Sequence, residues 1–383
     1  MKIKIAQILE ATIGGTAKHI NQIFDNLNSH EFEFTLICST KRDLQFKNNI
    51  KKIQSRGINV TIIEMVRNIN PIIDLVAIAK LVKILKTGEF HIVHCHSSKA
   101  GFVGRIAAAI AGVRRIIYTP HAFAFYAYEN KSQRHLFILV ERILAKITHQ
   151  IVCVSKSELY AARTHKIIPK KSLVLIANAI EKYDKNISNR KIENLKSELS
   201  IASNHFIIGT VGFFRKQKGL NYFIDAVSEF AREKQNIKAI IIGRGNEELS
   251  IVGHIQKNGM QDIIFLFKNI ESVQPYYRLM HIFISTSLWE GMPYSILEAM
   301  ASETPIIATD IPGTRDIIKN NENGILVPPK DIDKLVISMS RVYKDPELRK
   351  NLSRNAIKSV IKSHNLQTWT TQMRQLYFDQ MLL

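Results

Sequence analysis

Short apolar runs rich in Ile and Val alternate with longer amphipathic segments along most of this 383-residue chain. In the first half the runs are Lys4–Leu9, Phe34–Cys38, Asn59–Ile63, Ile92–Cys95, Ile116–Tyr118, Ile151–Val154 and Leu173–Ile176. They show little in–out alternation, which suits parallel strands covered on both faces. Between them, Ile72–Leu85, Lys99–Ala111 and Gln133–Ile147 carry helical periodicity, and Pro71 stands where a helix start accommodates proline. This alternation predicts a doubly wound α/β domain over residues 1–180. A polar, charge-rich stretch at 181–205 reads as a linker. The pattern then restarts with Phe206–Gly212, Lys238–Gly243, Ile263–Phe267, His281–Ser285, Pro305–Ala308 and Gly324–Val327, predicting a second Rossmann-like domain over 206–365. Two such domains facing a cleft would bind ligands at their strand carboxyl ends. Leu366–Leu383 is an amphipathic helix with no strand after it, expected to pack back on the first domain.

Composition adds three constraints. Cys38, Cys95 and Cys153 stand singly inside apolar runs, without metal-ligand or redox spacing, and read as buried, inert thiols of a reducing compartment. No apolar run approaches the ~20 residues that span a bilayer, and the start MKIKIAQILE, interrupted by Glu10, reads as a strand rather than a signal peptide. A cytoplasmic protein, free or lying on a membrane surface, is expected. The net charge of +20 is uneven: residues 1–180 hold 26 Lys/Arg against 11 Asp/Glu, a net +15. Such a basic half implies an anionic partner, whether nucleic acid, anionic lipid or a phosphorylated substrate. The chain has neither a basic tail nor an aromatic-plus-basic strand motif, which argues against nucleic acid.

The richest chemistry lies in STSLWEGMPYSILEAMA, Ser285–Ala301. A buried strand ends near Ser285, a Gly-Met-Pro turn follows, and a helix starts around Tyr294–Ser295. That start offers unpaired backbone N–H groups and a positive dipole end, suited to a diphosphate. Glu290 in the loop and Glu298 one turn into the helix could accept hydrogen bonds from sugar hydroxyls; a capped helix with two solvated glutamates is the plainer alternative. In TVGFFRKQKGLNYFIDAV, Thr210–Val227, Arg215 and Lys218 precede a helix, where two cations suit a diphosphate leaving group as well as they suit a solvated basic loop.

Glu290 and Glu298 in this strand–loop–helix setting resemble the E-x7-E motif of glycosyltransferase family 4, enzymes of the GT-B fold. ASETPIIATDIPGTRDII, NGILVPP and DIDKL, within Ala301–Leu335, are also similar to that family, and the resemblance covers nearly the whole chain. It implies that Glu290 contacts hydroxyls of the transferred sugar and Glu298 the ribose. Backbone from Gly291 through Met292, Pro293, Tyr294, Ser295 and Ile296 to Leu297 would then bind the donor diphosphate. The family carries a basic pair at the second turn, commonly with Arg directly after the strand glycine. Here Phe213 takes that place, Arg215 comes two residues later, and Lys218 matches.

Three further loops fit the same resemblance. Gly14 and Gly15 enter a helix in ATIGGTAKHI; paired glycines permit close backbone approach or simply make a tight turn, and the family's similar loop faces donor phosphates (Gly15) and acceptor (Gly14, Thr16). Gly243 and Gly245 of IIIGRGNEE resemble a donor-domain loop. In HCHSSKAGFVGRIAA, His94 and His96 share a strand face but lack an identifiable third ligand, so no metal is expected. His96, Ser97 and Lys99 read instead as strand-end groups facing an acceptor, with Lys99 available to a phosphate. His121 of YTPHAFAF follows the next strand; a lone His is more often structural, but the family has one here that reaches the transferred sugar.

The resemblance thus implies a retaining, metal-independent transfer of a hexosyl or N-acetylhexosaminyl group from a nucleotide sugar, UDP-linked, to a glycan hydroxyl. The acceptor implied is polyprenyl-diphosphate-linked, as in bacterial capsule, exopolysaccharide and O-antigen synthesis. No cofactor is expected, because the nucleotide sugar is a substrate and no Asp-x-Asp stands after a strand; Asp331-Ile-Asp333 reads as a helix N-cap. Basic amphipathic segments around Ile78–Lys86 and Arg134–Lys146 suggest docking on anionic lipid at the cytoplasmic face of the inner membrane. Two rivals remain at this stage: a sugar-nucleotide epimerase of the same fold, and a basic nucleic-acid-binding protein.

Overall fold

The computed structural model describes residues 2–27, 29–43, 46–181, 189–199, 201–270 and 272–382. The chain divides into two compact units, Met1–Asn178 with Gln367–Leu383, and Ala179–Leu366. In the first, strands β1 (Ile3–Leu9), β2 (Phe32–Cys38), β3 (Asn59–Ile62), β4 (Ile92–His96), β5 (Arg115–Thr119), β6 (Gln150–Cys153) and β7 (Leu173–Leu175) alternate with helices. These are α1 (Gly14–Asn26), α2 (Phe46–Gln54), α3 (Pro71–Thr87), α4 (Ser98–Ile110), α5 (Lys131–Ala145) and α6 (Lys156–Thr164). The second holds α7 (Asn189–Glu198), β8 (Phe206–Val211), α8 (Leu220–Glu233), β9 (Ile237–Ile242), α9 (Glu248–Lys257), β10 (Ile264–Phe267), α10 (Gln274–Leu279) and β11 (Ile282–Ser285). It continues through α11 (Tyr294–Ala301), β12 (Ile306–Thr309), β13 (Ile325–Val327), α12 (Ile332–Lys344) and α13 (Pro346–Ser363). The last helix, α14 (Leu366–Leu382), lies in the first unit for nearly all its length.

Every strand pair is parallel, in the orders β3-β2-β1-β4-β5-β6-β7 and β10-β9-β8-β11-β12-β13. The chain order reverses between β1 and β4 in one sheet and between β8 and β11 in the other. Parallel sheets of this kind bind ligands outside the strand carboxyl ends at such reversals. Both sheets are covered by apolar clusters, which explains why the strands read as unbroken Ile/Val runs. Asn70 caps α3 by accepting from the Ile73 N–H at 3.1 Å, with Pro71 in the first turn, and Asp331 caps α12 through the Lys334 N–H at 2.9 Å. All three cysteines are buried, and burial pushes the Cys38 and Cys95 thiols up to about 12.

The 181–205 stretch differs from the expected linker. Its described part includes α7, whose Leu195 is buried, and Ile201 is buried too, so charged residues there form the wet face of a packed helix. In the first sheet the two-residue period of a strand sorts side chains by face. Ala6, Ile8, Val93, Cys95, Ile116 and Tyr118 form the core beneath α4, where a Cβ on Gly101 would lie 2.3 Å from the Tyr118 ring and one on Gly104 2.7 Å from Cys95 Sγ. Gln7, His94, His96 and Thr119 take the other parity. There α14 supplies Tyr377 and packs Phe378 on Phe32, with ring centroids 5.3 Å apart. No helix among the described residues is long and apolar enough to cross a membrane.

Candidate active site

In the second unit the residues after β8 and β11 meet at the point where strand order reverses. Beyond β8 the chain makes a 3₁₀ turn, Lys216–Lys218, with Arg215 at its head; the Lys218 N–H donates to the Arg215 carbonyl at 2.9 Å. Gly219 ends the turn at φ +57°, and a Cβ there would lie 2.4 Å from the Thr286 carbonyl, so glycine is required by both conformation and space. The Lys218 side chain lies along Gly212, 3.3 Å from where a Cβ would stand, and its ammonium donates to Glu290 Oε1 at 2.6 Å. Ser287 Oγ donates to the same oxygen at 2.8 Å, while Gln217 Nε2 donates to the Trp289 carbonyl at 2.8 Å and lies 3.4 Å from Glu290 Oε2. Glu290 is therefore buried and anchored rather than solvated, and Lys218 is no loose surface cation. Oε1 is saturated and Oε2 is left with acceptor capacity for a ligand hydroxyl.

Helix α11 starts at Tyr294 after Pro293, and no side chain caps it. A helix start of this kind directs its first backbone N–H groups out along the helix axis. Glu298, one turn in, is buried and accepts from Tyr277 Oη at 2.9 Å, while Thr304 Oγ1 holds the Tyr277 carbonyl at 2.7 Å. Burial and the neighbouring Glu298 push the Tyr294 phenol well up, so it stays protonated. Of the expected diphosphate segment, Gly291, Met292, Pro293 and Tyr294 are buried, Ile296 and Leu297 belong wholly to the interior, and Ser295 is half-exposed. Any ligand there meets backbone and Ser295, not the apolar side chains. Gly313, at φ +83°, lets the 311–314 turn close on this loop, since a Cβ would come within 2.3 Å of the Gly291 carbonyl. Gly243 and Gly245 have a packing explanation: a Cβ on either would strike the backbone of the 212–214 turn, 1.9 Å from the Gly212 carbonyl and 2.5 Å from the Phe214 carbonyl.

In the first unit the strand-order reversal gathers Gly14, Gly15, Thr16, His96, Ser97 and His121. Gly14, at φ +61°, opens α1, with Gly15 exposed and Thr16 half-exposed. Ser97, at φ +69°, starts α4. His121 and Ala122 both have positive φ, +55° and +97°, a costly pair for residues with a Cβ. Glu158 holds this turn: fully buried at the start of α6, it accepts the Ala122 N–H at 2.5 Å through Oε1 and the Val154 N–H at 2.8 Å through Oε2. His96 and His121 lie stacked, Nδ1 to Nε2 at 3.2 Å, and His19 from α1 meets the His121 ring edge-on at 4.7 Å. Burial drives all three imidazoles down, His19 to about 4, with neighbouring histidines adding to the shift of the other two.

Lys99 is not the phosphate-facing cation expected from its place after β4. It is buried, and its ammonium donates to both carboxylate oxygens of Asp74 on α3, at 2.8 and 2.7 Å. The third histidine that His94 and His96 lacked in sequence exists for His96. His19, His96 and His121 each bring one ring nitrogen within 4.8 Å of the others, and His96 Nδ1 and His121 Nε2 lie 3.2 Å apart, at hydrogen-bond distance. Tyr277, Ser287, Gln217 and Gly313 around the second-unit site, and Glu158, His19, Gln7 and Tyr377 around the first, were not found by sequence reasoning. Ser287, Gln217, Gly313 and His19 lie within stretches the sequence singled out, whereas Tyr277, Glu158, Gln7 and Tyr377 had no local signal.

Comparison with known proteins assigns both halves. Residues 13–182 match the model of Glycosyltransferase Family 4, and residues 191–359 that of Glycosyl transferases group 1. Over 386 residues, 99% of this chain and 97% of the other, it is 28% identical to a UDP-Gal:alpha-D-GlcNAc-diphosphoundecaprenol alpha-1,3-galactosyltransferase of Escherichia coli. It is 25% identical to the capsular polysaccharide biosynthesis glycosyltransferase CapM of Staphylococcus aureus over 82% of this chain and 84% of that one. Anabaena Alr3699/HepE in complex with UDP and glucose has the same fold, with a TM-score of 0.81 at 18% identity over 98% of this chain and 100% of that one. With its two parallel-sheet α/β domains of GT-B type, the chain belongs to the family 4 glycosyltransferases.

Proposed function

We propose that this glycosyltransferase moves a hexosyl or N-acetylhexosaminyl group from a UDP-sugar to a hydroxyl of a polyprenyl-diphosphate-linked glycan during bacterial surface polysaccharide synthesis. It does so with retention of configuration and without a metal. The observation that carries this reading is the knot that half-buried Lys218 forms with buried Ser287 and Glu290, in the loops that lead into α8 and α11. One carboxylate oxygen anchors the lysine, and the other can accept from a sugar hydroxyl. The ammonium, with two of its three protons left over, and the α11 amides can stabilise a departing diphosphate. Glu298, anchored by Tyr277, is suited to the ribose. Arg215, at the head of the same 3₁₀ turn as Lys218, adds a second cation there.

With the leaving group neutralised in this way, the acceptor attacks the face from which the diphosphate departs. The leaving phosphate oxygen takes the acceptor proton, so no protein nucleophile is needed. The E. coli relative's name specifies UDP-Gal and a diphosphoundecaprenol acceptor, which supports the UDP-sugar and lipid-linked assignments, and the HepE complex contains UDP. A lipid acceptor places the enzyme at the cytoplasmic face of the inner membrane. Exposed Leu136, Leu139 and Ile143 on α5, beside Lys131, Arg134, Arg142 and Lys146, would rest in the lipid interface.

The test is a screen of nucleotide sugars for saturable binding, followed by incubation of the best donor with membrane lipid extract, with and without EDTA. Transfer should survive the chelator and yield product with the donor's anomeric configuration. Lys218→Ala and Glu290→Ala should each lower it at least roughly tenfold, the size of a lost charge-assisted contact. A fully active Lys218→Ala enzyme would refute the leaving-group assignment. Conversion of the donor with no acceptor present would mark an epimerase.

A further inference from the structure

A single file of hydrogen bonds runs through the first unit and ends on His121. Thr119 Oγ1 lies 2.8 Å from His94 Nε2, and His94 Nδ1 lies 2.9 Å from Tyr377 Oη. Gln7 Nε2 donates to Tyr377 Oη at 2.9 Å, and Gln7 Oε1 lies 2.8 Å from His96 Nε2. His96 Nδ1 then faces His121 Nε2 at 3.2 Å. Thr119, His94, Tyr377, Gln7 and His96 are all buried, so within the file each donor must find its acceptor. Burial drives the pKa values of His94, His96 and His121 well down, which leaves these rings neutral near pH 7. Their free variable is the tautomer.

A neutral imidazole has one donor and one acceptor nitrogen, so the proton order follows from one link to the next. Gln7 fills one acceptor site of Tyr377, whose hydroxyl proton then goes to His94 Nδ1. His94 carries its own proton on Nε2 and donates to Thr119. In the other direction Gln7 Oε1 can only accept, so His96 must be protonated on Nε2 and bare on Nδ1. That lone pair accepts from His121, whose proton therefore sits on Nε2 and whose Nδ1 is bare. Reversal demands a flipped Gln7 amide and every bond turned round. A mixed file sets two N–H groups or two lone pairs face to face and leaves buried groups unpaired.

We propose that Tyr377 and Gln7 are positioning residues that, through His96, hold His121 as its Nε2–H tautomer and so make Nδ1 a hydrogen-bond acceptor for a substrate hydroxyl. This rests on the reading of His121 as a residue at the transferred sugar. It assigns a task to α14, which returns from the far end of the chain to put one phenol between β1 and β4. Removing Oη leaves Gln7 Nε2 and His94 Nδ1 without partners and frees the amide to turn. His96 and His121 then lose their fixed proton order.

Long-range 15N spectra of the full chain labelled at histidine read the tautomers directly, with assignments from His121→Gln and His96→Gln. The wild type should show His121 with a bare Nδ1 and a protonated Nε2; a protonated Nδ1 overturns the proposal before any other variant is made. In Tyr377→Phe, and independently in Gln7→Met, His96 and His121 should become tautomer mixtures. With the donor found above, kcat should fall roughly tenfold and the donor KM should change little. Unchanged tautomers in both folded variants would show a purely structural contact and sink the idea. Full transfer by His121→Ala would instead remove the reading of His121 as a sugar contact, while the tautomer result stood.

Discussion

Four imidazoles, at His19, His94, His96 and His121, sit ring against ring with little water around them, and this fixes how stability depends on pH. In the unfolded chain each binds a proton near pH 6.5. In the folded chain burial lowers all four, His19 to about 4. Between these values the unfolded state holds more protons, so stability rises with pH across the window and is lost as pH falls from about 6.5 toward 4. For His19 alone the slope is up to about 1.4 kcal/mol per pH unit. Urea midpoints at pH 5 should therefore lie well below those at pH 7.5, and His19→Gln should show a shallower drop; equal drops would mean that His19 is hydrated in the native state. At this scale the sequence put Lys218 and Glu290 in the loops after β8 and β11, and the structure joins them in one ion pair. Tyr377 was not legible: its partners Gln7 and His94 lie 370 and 283 residues away, and nothing local marks a tyrosine in an amphipathic helix as a polar partner.

The elements were the most legible part of the molecule, because parallel strands covered on both faces are mostly apolar along their length. β8, expected over Phe206–Gly212, runs Phe206–Val211, and α3, expected over Ile72–Leu85, runs Pro71–Thr87. Lys99 shows where the pattern misled. Its place at the start of α4, just after a strand, suggests a phosphate ligand, whereas Asp74 on the buried side of α3 claims it. The polar residue inside α3 was the available hint. An ion pair removed from water leaves a costly orphan when one partner goes, about 3–5 kcal/mol. Lys99→Ala should lose stability of that order in urea titrations, whereas Asp74→Leu with Lys99→Met should recover most of it. Comparable losses for the single and double variants would mean that packing, not charge, is what Lys99 contributes.

For the whole molecule the uneven charge becomes an argument about place. The net +15 of residues 1–180 lies in the unit whose α5 exposes Leu136, Leu139 and Ile143, at 54, 52 and 55%, spaced along one helical face. Near them are Lys131, Arg134, Arg142 and Lys146, all exposed. Helix α3 adds exposed Ile72, Leu75 and Val76, with Lys80, Lys83 and Lys86 further along, and α4 packs against both α3 and α5. Charge without exposed apolar groups would suit nucleic acid equally well; the combination suits a lipid interface. Each basic group near an anionic surface contributes about 1 kcal/mol and loses it as salt shortens the Debye length. The chain should therefore co-sediment with vesicles containing phosphatidylglycerol at low salt and much less at 1 M, and hardly at all with neutral vesicles. Leu136→Ser with Leu139→Ser should weaken binding at both salt levels by roughly tenfold or more, since those side chains contribute by leaving water rather than by charge. Transfer to a soluble acceptor glycan should be untouched. Binding that is insensitive to salt and to these leucines would place the enzyme free in solution and leave the basic unit with another anionic partner.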